Sequence, residues 1–145
     1  MRANLFPIVL LSLATLSACG PAADEPVLAQ FFAAARLRDH TALARIATVV
    51  FEPNADGMVT EFKLIDATPE RQATAIPDVV ELSLKGRETE RTAVDVVSKD
   101  LTVDAQVRQF DGNSAQKTLM VTLQRAVSKD RRVVGRWIVT GIRQV

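Results

Sequence analysis

The chain of 145 residues carries 18 Lys and Arg against 17 Asp and Glu, with one His, for a formal charge of +1. A chain this close to neutral, without a long basic run, lacks the electrostatic footprint of a nucleic-acid binder, and its length fits one small domain with a modest core. Cys19 is the single cysteine, which excludes any disulfide within the chain.

Arg2 precedes an apolar run from Leu5 to Leu16, broken only by Pro7, Ser12 and Thr15. That is the anatomy of a secretory signal, and about a dozen apolar residues fall short of the roughly 20 that a spanning helix needs. The run ends in Leu16-Ser17-Ala18-Cys19-Gly20, which resembles the lipobox of bacterial lipoproteins. The resemblance implies that residues 1–18 are cleaved as a signal peptide. It also implies that the Cys19 thiol takes a diacylglycerol unit and that the new amino group is acylated. A thiol suits that step because its thiolate is a strong nucleophile, and two or three acyl chains make a stable anchor. Gly20 is not the Asp that favours inner-membrane retention in some family members, so the expected address is the periplasmic face of the outer membrane. Cleavage removes Arg2 and no acid, leaving 17 basic side chains (18 less one) against 17 acidic ones.

Residues 19–26 then read as the lipidated cysteine and its tether. From Gly20 to Pro26 it is small and Pro-punctuated, and seven residues reach at most about 25 Å, which keeps the domain, residues 27–145, near the bilayer. Val27, Leu28, Phe31, Phe32 and Ala35 share one helical face, with Asp24 as the expected N-cap. The pattern pauses at Arg38-Asp39-His40. Leu43, Ile46, Ala47 and Val50 predict a second helix capped by Asp39, so the two form a hairpin.

Phe51 to Gly57 is turn chemistry, and after it the period shifts toward two. Met58 to Asp66 predicts a strand with Val59, Phe62 and Leu64 inward, and Thr68 to Arg71 a single helical turn with Pro69 at its start. Val80, Leu82 and Leu84 alternate with charged and polar neighbours as a strand ending at Gly86. A charged turn, Arg87 to Arg91, leads to Ala93–Val97, and Leu101, Val103, Ala105 and Val107 give the clearest alternation. Asp111-Gly112 turns the chain. Leu119, Val121 and Leu123 mark the return strand, Ser128 to Arg131 a further turn, and Val133 to Ile142 the last strand. Val-Ser-Lys-Asp occurs at 97–100 and again at 127–130 and reads as shared turn chemistry; Lys129, Arg131 and Arg132, interrupted by Asp130, read as a solvated turn. Helices ahead of an antiparallel meander indicate an α+β fold, with the Phe31/Phe32 face against a curved sheet.

The Phe31-Phe32 helix, the Arg38-Asp39-His40 break and the closing Gly135-Arg136-Trp137-Ile138-Val139-Thr140-Gly141 resemble the NTF2-like (SnoaL-like, cystatin-like cone) superfamily, in particular its small bacterial lipoproteins. The resemblance implies a bent sheet wrapped around a long helix, with a pocket in the cone mouth. Some members are isomerases that pair a carboxylate base with a Tyr, and this chain has no Tyr. It also implies that the polar face of the Leu101–Arg108 strand is concave, which makes Asp104 and Arg108 candidate ligand-binding residues, joined by Trp137 on the last strand. Members often form dimers, and the long strands here could pair edge to edge.

No cofactor is expected, and no histidine-based metal site, since His40 is alone. It sits beside Asp39 at a helix break, where capping explains the pair better than catalysis. The reading is therefore a membrane-anchored envelope lipoprotein, non-enzymatic, that binds an envelope protein partner or a small apolar ligand. The alternative is an NTF2-like enzyme for a small hydrophobic substrate, with Asp104 or His40 as base.

Overall fold

The computed structural model describes residues 24–87 and 94–145. The expected signal, Cys19, nearly all of the tether and most of the turn from Arg87 to Arg91 lie outside the described residues. In chain order the elements are α1 (Glu25–Arg36), α2 (His40–Ile46), α3 (Pro53–Asp56), β1 (Met58–Ala67), β2 (Arg71–Ala73), α4 (Pro77–Leu84), β3 (Val94–Arg108), β4 (Ser114–Ser128) and β5 (Ile138–Gln144). This is an α+β fold whose five-stranded antiparallel sheet runs β1-β3-β4-β5, with β2 pairing along β3 beyond β1.

β3 and β4 pair at fifteen consecutive positions, from Val94 opposite Ser128 to Arg108 opposite Ser114. Because side chains alternate, Leu101, Val103, Ala105 and Val107 of β3 share the inner face with Leu119, Val121 and Leu123 of β4, and all are buried. α1 lays Leu28, Phe31, Phe32 and Ala35 into the same core, joined by Leu43 and Ile46 of α2. Phe32 sits at its centre, with ring centroids 5.5 Å from Phe31, 6.1 Å from Phe51 and 5.4 Å from Phe62. The pairing is irregular in β1 between Val59 and Glu61 and between Leu64 and Asp66, and between β4 and β5 at Thr122.

The hairpin turns where expected. Arg38 takes φ 54°, and the Asp39 carboxylate accepts from Ala42 N–H at 2.9 Å, starting α2. α2 stops at Ile46, not at Val50: Ala47 forms a bridge with Val139, and Thr48 N–H donates to the Val139 carbonyl at 2.9 Å, tying the hairpin to β5. Gly57, with φ 86°, follows α3 so closely under β3 that a Cβ there would lie 2.5 Å from Val107 Cγ1.

Several expectations change. α1 starts at Glu25, with Pro26 in its first turn, so the domain takes up the end of the expected tether. Asp24 occupies the N-cap position, and its carbonyl accepts from Leu28 N–H, but its carboxylate makes no cap. It pairs with Lys99 instead, a stronger partner than a backbone N–H in a buried position. Thr68–Arg71 is not a helical turn: Thr68 bonds Asp100 through both backbone and hydroxyl, and Arg71 opens β2. Val94–Val97 and Leu101–Arg108 belong to one strand, Ala93 lying outside the described residues, which places the first Val-Ser-Lys-Asp mid-strand and only the second in a turn. β5 begins at Ile138, later than Val133, because residues 133–137 detour to meet α4.

The largest correction is α4. Val80, Leu82 and Leu84 do alternate, yet they are only half-buried on a helix whose buried residues are Val79 and Ser83, four apart. Pro77 pre-sets the first helical residue, and Gly86 at φ 77° ends the run. α4 lies against β4 and β5. Ser83, fully buried, donates to the Arg136 carbonyl at 2.8 Å and accepts from Ala126 N–H at 2.9 Å. The Arg136 guanidinium reaches back to the carbonyls of Leu82 and Lys85 at 3.1 and 3.0 Å, serving the free acceptors at the helix end. Val96, Ala126 and Ile138, buried on the outer face, complete this second core.

Gly135 is the contact point of that second core: a Cβ would lie 2.1 Å from Ser83 Oγ, 2.9 Å from the Ser83 carbonyl and 3.0 Å from that of Ala126. Gly135→Ala is expected to cost about 2 kcal/mol or more in urea unfolding, whereas Gly112→Ala, with open space around the Cβ position, should cost only its positive-φ strain. The two hairpin turns give a pH test. Asp111 is held below the usual 3.8 by the Asn113 backbone N–H and then its side chain, and Asp130 by the Ser128 hydroxyl and then Arg132 N–H. Since both folded values are depressed, the stabilisation is complete above pH 3.8 and lost as pH falls through the lowered values. Carboxyl-carbon NMR titration should place both midpoints under 3.8.

Candidate functional site

Three cations occupy positions whose phase belongs to the apolar inner face. On β3, Lys99 continues the row of Leu101, Val103, Ala105 and Val107; on β4, Arg125 and Lys117 bracket the row Leu119, Val121 and Leu123. A charge in a core row needs a partner or a route to solvent. These three mark the two ends of the inner face.

At one end Lys99 and Arg125 meet Trp137. The Lys99 ammonium lies 4.4 Å from the indole centroid and the Arg125 guanidinium carbon 4.3 Å, both within cation–π range. Lys99 is ion-paired with Asp24, the two side chains 12% and 4% exposed, and Arg125 pairs with Glu70 at 2.7 Å. The Arg125 Nε is buried without a hydrogen-bond partner, which leaves the indole as its neighbour. Trp137 packs half-buried against the main core. This cluster clamps the first described residue of the chain to the middle of the sheet.

The outer face carries Asp104 and Arg108. Asp104 accepts from the Thr118 hydroxyl at 2.9 Å, and one step along the sheet Asp100 accepts from Thr122 at 2.7 Å and from Arg71 at 2.8 Å. Arg108 is exposed at the strand end. The register thus puts Asp104 and Arg108 on the side away from α1 and α2, while Trp137 is on the inner side. The three proposed ligand-binding residues are not brought together, and the polar face forms a self-satisfied Asp–Thr ladder.

At the other end of the inner face, two shallow depressions flank Val50 and Phe51. One, about 140 Å³, is lined by Arg38, His40, Leu43, Glu52 and Asn54 among others. His40 is exposed, the Asp39 carboxylate is committed to Ala42, and Arg38 donates to Asn54 at 2.7 Å, so no acid–base pair forms. The second, about 160 Å³, has an apolar floor of Val50, Phe51, Leu119 and Ile142 and a polar rim of Asp56, Lys117, Arg143 and Gln144. The Asp56 carboxylate accepts from Glu52 N–H at 2.8 Å. Lys117, half-buried, has neither an ion pair nor a side-chain hydrogen bond among the described residues. The sequence reading passed over Lys117, although its phase with Leu119, Val121 and Leu123 was there to be seen.

Among the described residues no group of three potential metal ligands occurs, and no helix is long and apolar enough to cross a membrane. No protein-family model, curated protein or solved structure matches the chain.

Breaking the clamp should be measurable from Trp137, the only tryptophan. Asp24→Ala leaves Lys99 partly buried without its carboxylate and is expected to destabilise the domain by about 2 kcal/mol. Lys99→Met in the same background should recover part of that loss in chemical unfolding, because it removes the stranded charge.

Proposed function

We propose that the protein is a membrane-anchored lipoprotein of the bacterial cell envelope, held by acylated Cys19 at the periplasmic face of the outer membrane. Its domain is a non-enzymatic, NTF2-like binding module for an envelope protein partner or a small apolar ligand. The carrying observation is Leu16-Ser17-Ala18-Cys19 after an apolar leader. Only four residues separate Cys19 from Asp24, which is bound to the sheet through Lys99. Fully extended, the five steps between them span about 18 Å. The Trp137 end of the domain is therefore the end next to the bilayer.

The order of elements, a helical hairpin followed by an antiparallel sheet that packs against it, supports the NTF2-like reading. The exposed His40 and the Asp104 committed to Thr118 give no support to the enzymatic alternative.

Mass spectrometry of the N-terminal peptide of the mature protein should show Cys19 as the first residue, carrying acyl chains. Cys19→Ser should move the protein from the membrane fraction to the soluble periplasmic fraction. An unmodified Cys19, or one in an intermolecular disulfide, would overturn the anchor.

A further inference from the structure

We infer that the depression beside Lys117 is a binding seat for a small aliphatic carboxylate, whose anionic head pairs with the Lys117 ammonium while its alkyl body covers Val50, Phe51, Leu119 and Ile142. The inference deepens the binding half of the proposed function and is independent of acylation at Cys19.

Lys117 is opposite Ala105 in the β3–β4 register, and Ala105 is opposite Phe62 in turn. Its neighbours across the sheet on this face are thus core residues, and Ala105 itself is buried. Of the three cations in the apolar phase, Lys99 has Asp24 and Arg125 has Glu70. Lys117 alone lacks a carboxylate among the described residues. Asp56 lines the same depression, but its carboxylate is engaged at the start of α3 with Glu52 N–H, and no ion pair joins it to Lys117. A half-buried lysine lining a depression with an apolar floor is the complement of a molecule with one negative end and an aliphatic remainder. Arg143 also lines the depression, but its register opposite Met120 and its contact with the Met120 thioether turn its guanidinium to the outer face, so Lys117 is the cation of the seat.

Size narrows the class further. About 160 Å³ is well below the roughly 300 Å³ at which small-molecule pockets usually begin. The seat therefore takes a short carboxylate, or the head and first carbons of a longer one. Val50, 54% exposed beyond the end of α2, is the apolar lip over which a longer chain would run.

The test uses the mature chain from residue 19 bearing Cys19→Ser, so that no acyl chain of its own competes, with octanoate as probe and octanol as the uncharged control. Titration followed by amide NMR should show saturable shifts for octanoate centred on Leu119, Ile142 and Val50 and absent near Trp137, with octanol binding at least tenfold more weakly. Lys117→Met should weaken octanoate about tenfold, the scale of one charge-assisted pair, without altering octanol, and Lys117→Arg should retain octanoate binding. Equal octanoate affinity in the wild-type and Lys117→Met chains, shifts centred elsewhere, or no saturation by octanoate at millimolar concentration would each overturn the seat. Because Lys117→Arg keeps the charge and most of the stem, loss of binding by both variants with an intact spectrum would also count against the ion pair.

Discussion

The unbroken fifteen-position ladder between β3 and β4 is the constraint on which the other elements depend. Strand side chains alternate, so one strand can serve two cores, and β3 does so at its two ends. Leu101, Val103, Ala105 and Val107 face α1 and α2, while Val96 faces the opposite side, where α4 packs. A slip of one residue would turn both rows outward. The register is pinned by the Gln109–Asn113 turn and by Asp100–Thr122 and Asp104–Thr118, paired directly across the two strands on the outer face. The polar face that looked like a binding surface thereby acquires a structural task.

With the ladder fixed, the inner face has two ends of different character. The row on β4 is bracketed by Arg125 and Lys117, and Leu123, opposite Lys99, stands six residues from Lys117, about 20 Å along the strand. At the first end two cations are each paired with a carboxylate and stacked on one indole, and the Asp24–Lys99 pair holds the start of α1. At the second, an ammonium is left without a carboxylate above Phe51. One set of contacts is closed and the other is open, and the open one lies farthest from the point where the chain enters the fold.

Much of this was legible in the sequence where pattern and chemistry agree. The α1–α2 break at Arg38-Asp39, the alternation of β3 and β4 and the Asp111-Gly112 turn follow from spacing and capping alone. The α4 segment misled because Val80, Leu82 and Leu84 satisfy a period of two, while the residues that decide its burial are Val79 and Ser83; a serine at 0% exposure carries no hydropathy signal, and its value lies in two hydrogen bonds to a segment more than 40 residues away. Asp24 stands at the N-cap position but does not cap: its carboxylate's partner is 75 residues distant and no local rule reaches it. Asp104 and Arg108 drew attention as paired charges on a polar face. The informative charges were those out of character with their row, Lys99, Arg125 and Lys117.

The Asp24–Lys99 clamp also bears on the order in which the fold is assembled and comes apart. The β3–β4 hairpin closes around a short turn and needs little loop entropy, whereas the Asp24–Lys99 pair joins residues 75 apart in the chain and closes a far longer loop. The contact is therefore among the last to form, and α1, which meets the sheet chiefly through its apolar face, can lift at its first turn while the ladder stays shut. A pull applied to residues ahead of Asp24 acts on that ion pair before it acts on any strand. In mechanical terms the clamp is a fuse: force along the chain opens the start of α1 and is taken up there, leaving the sheet and the far end of its inner face in register.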